Sequence, residues 1–234
     1  MNIGNFEIGA GKTFIIAECC SNIIPHLYNL GGVVSAVAST GANALKVQLY
    51  LAEHFGKAEQ ESKRRTEFPR DLFPRLVKLC HEKGFACGAS VFDEEAVNVV
   101  VRGGGDFLKF ATSEIGNRIL CEKCRKYNLP MIASYDYCKS RIIRIYSGKE
   151  ILLACVPEYP SSNFRIPRCL TGTIWGWSSH TNHWLDCLIA VSRGAVVVEK
   201  HITFSANDYE TGWSLYPNEF QQMVKDIRWV EEAR

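Results

Sequence analysis

Residues 196–204 read "VVVEKHITF": three consecutive β-branched apolar residues, then Glu199, Lys200 and His201, then an apolar run again. A short, continuous apolar run suits a strand covered on both faces, the setting of a parallel sheet flanked by helices. Upstream, "IWGWSSH" (Ile174–His180) has the same form, an apolar run closing on Ser178, Ser179 and His180. Two neighbouring buried strands thus each end in a histidine. The charges mark the points where buried strands emerge.

Runs of this kind recur along the chain. The others are "FIIAE" (Phe14–Glu18), "ALKVQ" (Ala44–Gln48), "ACGAS" (Ala86–Ser90), "FLKFA" (Phe107–Ala111), "PMIAS" (Pro130–Ser134) and "ILLACV" (Ile151–Val156). Helical patterns separate most of them. Leu30, Val33, Val34, Val37 and Ala38 keep one helix face; Leu72, Leu76 and Leu79, with Val77 and Cys80, keep another; Phe220, Met223, Val224, Ile227 and Val230 form a final stripe. Gly41, Gly84, Gly104 and Gly194 sit where helices close. Eight strands alternating with helices predict an α/β fold, a (β/α)8 TIM barrel. An open doubly wound sheet would carry a glycine-rich first turn. "GAGK" (Gly9–Lys12) instead precedes the first strand and lacks phosphate-loop spacing, so it reads as the turn of an N-terminal hairpin, residues 1–13, closing the barrel floor. Cys138–Glu150 and Ser161–Thr173 leave little room for full helices, so the barrel is expected to be trimmed at its fifth and sixth crossovers. No linker or internal repeat divides residues 1–234, which read as a single domain.

Composition limits the function classes. The chain has 234 residues, 47% hydrophobic and 22% charged, with a net charge of +2. That balance gives no electrostatic reason to expect nucleic acid or an anionic membrane. The basic run Lys63–Arg65 lies among Glu59, Glu61 and Glu67 and reads as a solvated loop. "MNIGNFEIGAGKTF" holds no apolar leader core, and no run approaches the ~20 apolar residues of a membrane helix, so a cytoplasmic location is expected. The ten cysteines are irregularly spaced and read as free thiols; "CEKC" (Cys121–Cys124) lacks the second pair that a structural zinc site needs.

In such a barrel the C-terminal strand ends face the active site. Read in order they give Glu18; Lys46 and Gln48; Ser90; Lys109 with Thr112 and Glu114; Ser134; Tyr159; Ser178 with His180; and Glu199 with His201. Two lysines, two histidines and three carboxylates therefore converge on one mouth. Lys46 and Lys109, with the hydroxyls of Ser90, Thr112, Ser134 and Ser178, suit a phosphate and a carboxylate. His180 and His201, on adjacent strands, suit one divalent metal with open positions for substrate or water.

The ordered set "IIAE", "LKVQ", "FLKFATSEI", "PMIAS", "CVPEYP", "WGWSSHT" and "VVVEKHITF" resembles the N-acetylneuraminate (sialic acid) synthase family over nearly the whole chain. The resemblance implies an enzyme that condenses phosphoenolpyruvate with an N-acylated hexosamine or related aldose, giving a nonulosonic acid and phosphate. It implies a divalent cofactor, manganese preferred and magnesium the alternative, on His180 and His201. It places Lys46, Ser90, Lys109, Thr112, Ser134 and Ser178 on phosphoenolpyruvate. Glu18, Gln48 and Tyr159 fall near the sugar, Glu199 near the metal, and Glu114 beside the reacting carbons. The expected catalytic set is Glu114, Glu18 and Lys109.

The departures from the family pattern concern the sugar half. A glycine and an "NHNG"-like stretch usually follow the first strand; here the chain has "CCSNIIPH" (Cys19–His26). Ser134-Tyr135-Asp136 replaces Ser-Thr-Gly, with bulky Tyr135 expected to narrow the mouth if it points inward. Pro157 stands where some members have asparagine, and Ser179 where an aspartate precedes the histidine. The loop after His201 is short, leaving Glu210 or Asp208 for a sugar-binding aspartate. The family's small C-terminal antifreeze-like domain is not found in this sequence. Trp184, Leu185, Leu188 and Trp229 exceed one core stripe, so a homodimer is expected, or a separate protein that supplies the lid. A barrel enzyme of another class, lyase or aldolase-like, and a non-catalytic binding descendant are the alternative readings.

Overall fold

The computed structural model describes residues 1–138, 150–162, 166 and 175–233. Eight parallel strands close into one barrel: β1 (Phe14–Glu18), β2 (Ala44–Leu49), β3 (Ala86–Val91), β4 (Phe107–Phe110), β5 (Met131–Asp136), β6 (Ile151–Cys155), β7 (Trp175–Ser179) and β8 (Val197–His201). β8 pairs with β1, Val197 opposite Phe14 and His201 opposite Glu18, and with β7, Glu199 opposite Ser178. The two strands that end in histidine are neighbours, as expected. Helices α1 (Leu30–Ser39), α2 (Lys57–Arg64), α3 (Phe73–Glu82), α4 (Glu94–Arg102), α5 (Arg118–Cys124), α6 (Leu185–Ser192) and α7 (Pro217–Glu232) lie between and after the strands. The expected trimming at Cys138–Glu150 and Ser161–Thr173 falls mostly outside the described residues, as does Ile174.

Alternation along each strand separates two cores. Outward residues such as Ile15, Leu45, Cys87, Leu108, Ala133, Trp177 and Val198 pack with the helices in the outer core. Inward residues Phe14, Ile16, Ala44, Ala86, Phe107, Ile132, Ile151, Leu153 and Val197 fill the barrel floor with Ile3 and Ile8. Glycines make room for them: a Cβ on Gly88 would lie 2.6 Å from the Phe107 ring, and one on Gly176 would lie 2.2 Å from the Val197 carbonyl oxygen and 2.6 Å from Leu153. Gly41, Gly84, Gly104 and Gly194 all adopt positive φ, 77–98°, the left-handed turn at which helices stop.

The floor hairpin is present, but "GAGK" is not its turn. Asn2–Ile3 pairs antiparallel with Phe6–Glu7, so the connection is Gly4-Asn5, with Gly4 at φ +53°. Gly9–Lys12 merely links the hairpin to β1. The barrel is latched at its seam by the last helix: Arg228 Nη1 donates to the Thr13 carbonyl (3.0 Å) and Arg228 Nη2 to Asn43 Oδ1 (3.3 Å), while Glu231 Oε1 accepts from Thr13 N–H.

Three further readings need correction or refinement. Tyr135 is buried on the outward face, within the outer core, so it does not narrow the mouth; its neighbour Ser134 takes the inward position. Lys63 and Arg64 end helix α2 rather than lying in a loop. Trp184 and Leu188 belong partly to the outer core, Trp184 Nε1 donating to Asp226 (2.9 Å), whereas Leu185 and Trp229 stand exposed. The cysteines among the described residues are free, Cys121 and Cys124 buried on α5. Among the described residues no helix is long and apolar enough to cross a membrane.

The glycine contacts carry a prediction. Gly176→Ala should destabilise the fold by about 3 kcal/mol, because the added methyl meets backbone that cannot move. Gly31→Ala, at an exposed helical position with nothing within 4 Å, should be neutral or stabilising by up to about 1 kcal/mol. Urea unfolding of the two variants beside the parent chain measures both; equal midpoints would contradict the packing described.

Candidate active site

Two residues beyond the floor, the inward positions turn polar. Glu18 follows Ile16, Lys46 follows Ala44, Lys109 follows Phe107, Ser134 follows Ile132, Ser178 follows Gly176, and Glu199 follows Val197. With Gln48, Ser90, Thr112, Tyr159, His180 and His201 they line one recess of about 40 Å³. Glu114 is the expected site residue that the structure does not place there. The 3-10 turn Thr112–Glu114 carries it to the rim, where its Oε2 accepts from Asn117 Nδ2 (2.9 Å) and its Oε1 from Ser113 Oγ (3.3 Å).

Four buried charges form the centre. Lys46 contacts Glu18 directly and lies 3.6 Å from Glu199; Lys109 also lies 3.6 Å from Glu199. Lys46 Nζ donates to Ser90 Oγ (2.8 Å), and Ser178 Oγ donates to Glu199 Oε1 (2.8 Å). Burial pulls the Lys46 ammonium down to about 7, with Glu199 opposing and Lys109 adding to the shift. Burial alone would push Glu199 up, yet Lys109, Lys46 and the Ser178 hydroxyl outweigh it and hold the carboxyl at about 2. The two lysines are thus neutralised internally, and an incoming anion must compete with Glu18 and Glu199 for them. Ser134 Oγ is buried with no hydrogen-bond partner, a donor left for a ligand.

The histidine rings lie 5.6 Å apart between centroids. His180 Nδ1–H donates to the Val156 carbonyl (2.8 Å) and His201 Nδ1–H to Glu210 Oε2 (2.9 Å). Both Nε2 lone pairs are thereby left toward the recess; the His180 one has only Ser178 Oγ at 3.4 Å. Burial, reinforced by His201, lowers His180 to about 3, so it is a neutral imidazole. A neutral ring whose second nitrogen is fixed by an acceptor is the form that binds a metal ion. No group of three or more His, Cys, Asp or Glu among the described residues is arranged to hold an ion. Two imidazoles would therefore leave the remaining positions to water and substrate, which fits an open catalytic site.

The sequence reading missed the supports behind these groups. Buried Lys200 points to the outer layer, donating to Ser179 Oγ (3.0 Å) and the Thr181 carbonyl (2.5 Å). Asp186 joins Trp177 Nε1 (2.7 Å) to Thr181 Oγ1 (3.1 Å), fixing the turn that carries His180. Asn22, in the "CCSNIIPH" stretch, donates to the Ile202 carbonyl and Ser214 Oγ and accepts from Glu210 N–H (2.7 Å), so it sets Glu210 beside His201. Asp208 is occupied by His26, Thr203 and two backbone N–H groups, which leaves Glu210 as the cavity-facing carboxylate of that loop. Trp213, without a signal in the sequence, completes an aromatic wall with Tyr159, His180 and His201; its ring lies 5.5 Å from Tyr159 and 6.3 Å from His201.

Outside the recess opens a wider cavity of about 850 Å³ that shares Gln48, Tyr159 and His201 with it. Cys20, Ser21, Tyr50, Lys63, Arg65, Glu210 and Trp213 are among its walls. Cys20 is the non-glycine residue with positive φ (+38°) among the described residues.

Comparison with known proteins bears on the family and the fold. The model of the NeuB family matches residues 33–234. The human N-acetylneuraminate-9-phosphate synthase is 27% identical, over 98% of this chain and 73% of its own length. The N,N'-diacetyllegionaminic acid synthase of Legionella pneumophila is 26% identical, over 93% and 72%. Among solved structures, the N-acetylneuraminic acid synthetase of Leptospira borgpetersenii, in complex with citrate, superposes with a TM-score of 0.91 at 26% identity, covering 100% of this chain and 89% of that one.

The charge cluster makes Glu199 the most sensitive position. Glu199→Ala leaves Lys46 and Lys109 short of a partner and should cost about 3–5 kcal/mol, the scale for breaking a buried ion pair from one side. Adding Lys109→Met to Glu199→Ala should recover part of that loss. Denaturant titration of the single and double variants tests it; a double variant less stable than the single one would contradict the coupling.

Proposed function

We propose that this chain, which belongs to the NeuB family, condenses phosphoenolpyruvate with the aldehyde of an N-acylated hexosamine or related aldose, releasing phosphate and a nonulosonic acid. The observation that carries the reading is the single recess gathering two lysines, the hydroxyls of Ser90, Thr112, Ser134 and Ser178, and two histidines whose Nδ1 atoms are each held by an acceptor, at the C-terminal end of the barrel. A manganese or magnesium ion on His180 and His201 would supply Lewis acidity toward an aldehyde oxygen.

The chain's own residues define the rest. Lys46 and Lys109, with Ser90, Thr112, Ser134 and Ser178, bind the phosphate and carboxylate of phosphoenolpyruvate and hold its enol carbon toward the histidines. Glu18 and Glu199, displaced from the lysines by the anion, become acceptors for the acceptor sugar's hydroxyls or for a proton. Gln48 and Tyr159, shared between recess and outer cavity, position the sugar. The enol carbon forms the new bond to the aldehyde carbon, the aldehyde oxygen takes up a proton, and water adds at the resulting cationic carbon before phosphate leaves. Exposed Leu185 and Trp229 support a homodimer, which light scattering across a dilution series would test.

Calorimetric titration of phosphoenolpyruvate with and without Mn²⁺, followed by a phosphate-release screen over N-acylated and plain aldoses, tests the reaction. Binding without phosphate release from any aldose would favour a binding descendant; carbon–carbon cleavage instead would favour the lyase reading. Lys46→Met or Lys109→Met should weaken phosphoenolpyruvate by about 1.5–3 kcal/mol, the worth of a charge-assisted hydrogen bond. The pH dependence has a definite sign. Free Lys46 loses its charge as pH rises through about 7, and anion binding requires the charged form. Affinity should therefore fall above pH 7 by up to about tenfold per pH unit, and this slope should be absent in Lys46→Met. Equal slopes in the two proteins would remove Lys46 from the anion site.

A further inference from the structure

Lys200 lies between Glu199 and His201, the two residues that the end of β8 contributes to the recess, but on the opposite face of the strand. It is fully buried, and the proposed chemistry does not use it. The pairing of β7 with β8 ends at Ser179 opposite Lys200, so His180 lies beyond the ladder and its place relative to His201 is left to other contacts. The loop after β6 supplies some of them: Ser161 N–H donates to the His180 carbonyl (2.8 Å), and the Val156 carbonyl accepts from the His180 ring (2.8 Å). Lys200 supplies the tie to β8. Its Nζ donates to Ser179 Oγ (3.0 Å) and to the Thr181 carbonyl (2.5 Å), so one side chain grips the residues on both sides of His180.

A buried ammonium is an expensive link between two uncharged oxygens. Burial lowers Lys200 from the ordinary lysine value and Asp186 opposes the shift, but the Asp186 oxygens serve Trp177 Nε1 (2.7 Å) and Thr181 Oγ1 (3.1 Å). Apolar side chains of similar volume often replace buried ionic groups at no loss of stability; they cannot replace two directed hydrogen bonds. Resting on the proposed two-histidine metal site, we infer that Lys200 is a positioning residue: it holds His180 at the spacing from His201 that lets both imidazoles bind one ion. The ring centroids lie 5.6 Å apart, and metal–nitrogen bonds of about 2 Å leave little room for drift. Because Lys200 faces away from the recess, it acts only through Ser179 and Thr181.

The test uses the full chain and reads Mn²⁺ affinity by calorimetry, the imidazole tautomers of the metal-free protein by long-range ¹H–¹⁵N spectra, and stability by urea unfolding. Lys200→Met should weaken Mn²⁺ binding about 10–100-fold, the usual effect of removing a support behind a metal ligand. It should also replace the single Nδ1–H form of His180 by a mixture of tautomers, because a displaced ring loses its bond to the Val156 carbonyl. Ser179→Ala, which removes one of the two acceptors, should give a smaller loss of about 3–10-fold, and it keeps the test decisive if Lys200→Met does not fold. Leu76→Ala, a cavity in the outer core on α3, should lower the urea midpoint while leaving Mn²⁺ affinity within about twofold of the parent. Unchanged affinity in Lys200→Met and Ser179→Ala, or an equal loss in Leu76→Ala, would overturn the inference and leave the metal site standing. If the parent itself binds no Mn²⁺, the metal reading falls and the tautomers decide. An unchanged His180 spectrum in the folded variants then overturns the role of Lys200, and a mixture sustains it.

Discussion

The alternation of charge Glu18–Lys46–Glu199–Lys109, almost wholly out of water, is the constraint on which the upper barrel depends. Each of these ions would cost several kcal/mol to bury alone. They are tolerated because the register of a closed parallel sheet brings opposite signs together: Glu18 is opposite Lys46 on β1 and β2, and Glu199 reaches both lysines from β8. A one-residue slip of any of these strands would turn its charge into the outer hydrophobic core. The polar ring therefore enforces the register that creates it. It also keeps the lysines from being permanently satisfied, since a carboxylate side chain can be displaced by a better anion.

The same alternation made the strands and most of the site readable in the sequence. Phe14, Ile16 and Glu18, or Val197, Glu199 and His201, occupy successive inward positions, so an apolar run that ends in a charge gives both the strand and the direction of its opening. That is why twelve of the thirteen expected site residues line one recess. Glu114 differs because it lies beyond β4, in a 3-10 turn whose direction no strand periodicity fixes; Asn117, capping α5, draws its carboxylate to the rim. Tyr135 failed for a related reason. A size argument says that a tyrosine narrows a mouth, whereas the two-residue period sends it outward between Ser134 and Asp136.

What the sequence did not disclose lies in contacts between distant loops. Asn22 and Glu210 are joined across the mouth by a hydrogen bond from the Glu210 backbone to the Asn22 side chain, and no local pattern announces the pairing. Trp213 is likewise ordinary as a residue type and meaningful only beside Tyr159 and His201.

These features divide the site by depth. The floor is apolar and rigid, fixed by glycines that admit Phe107 and Leu153. Above it sits a ring of neutralised charge, in which Glu18 and Glu199 balance Lys46 and Lys109. The histidines come next, their ring orientations set by the Val156 carbonyl and by Glu210 from the two loops that follow β6 and β8. Outermost is a wall made by "CCSNIIPH", α2 and the loop through Trp213; its first stretch and the loop after His201 are among the departures from the resembled family. Because the deep layers are built from strand residues whose positions are dictated by register, they tolerate little variation. The outer wall rests on turns and on a helix, α2, that buries no residue, so it is free to change its chemistry without disturbing the barrel. Differences in acceptor among proteins sharing this fold are therefore expected to reside in that wall, while the anion and histidine layers stay fixed by the sheet.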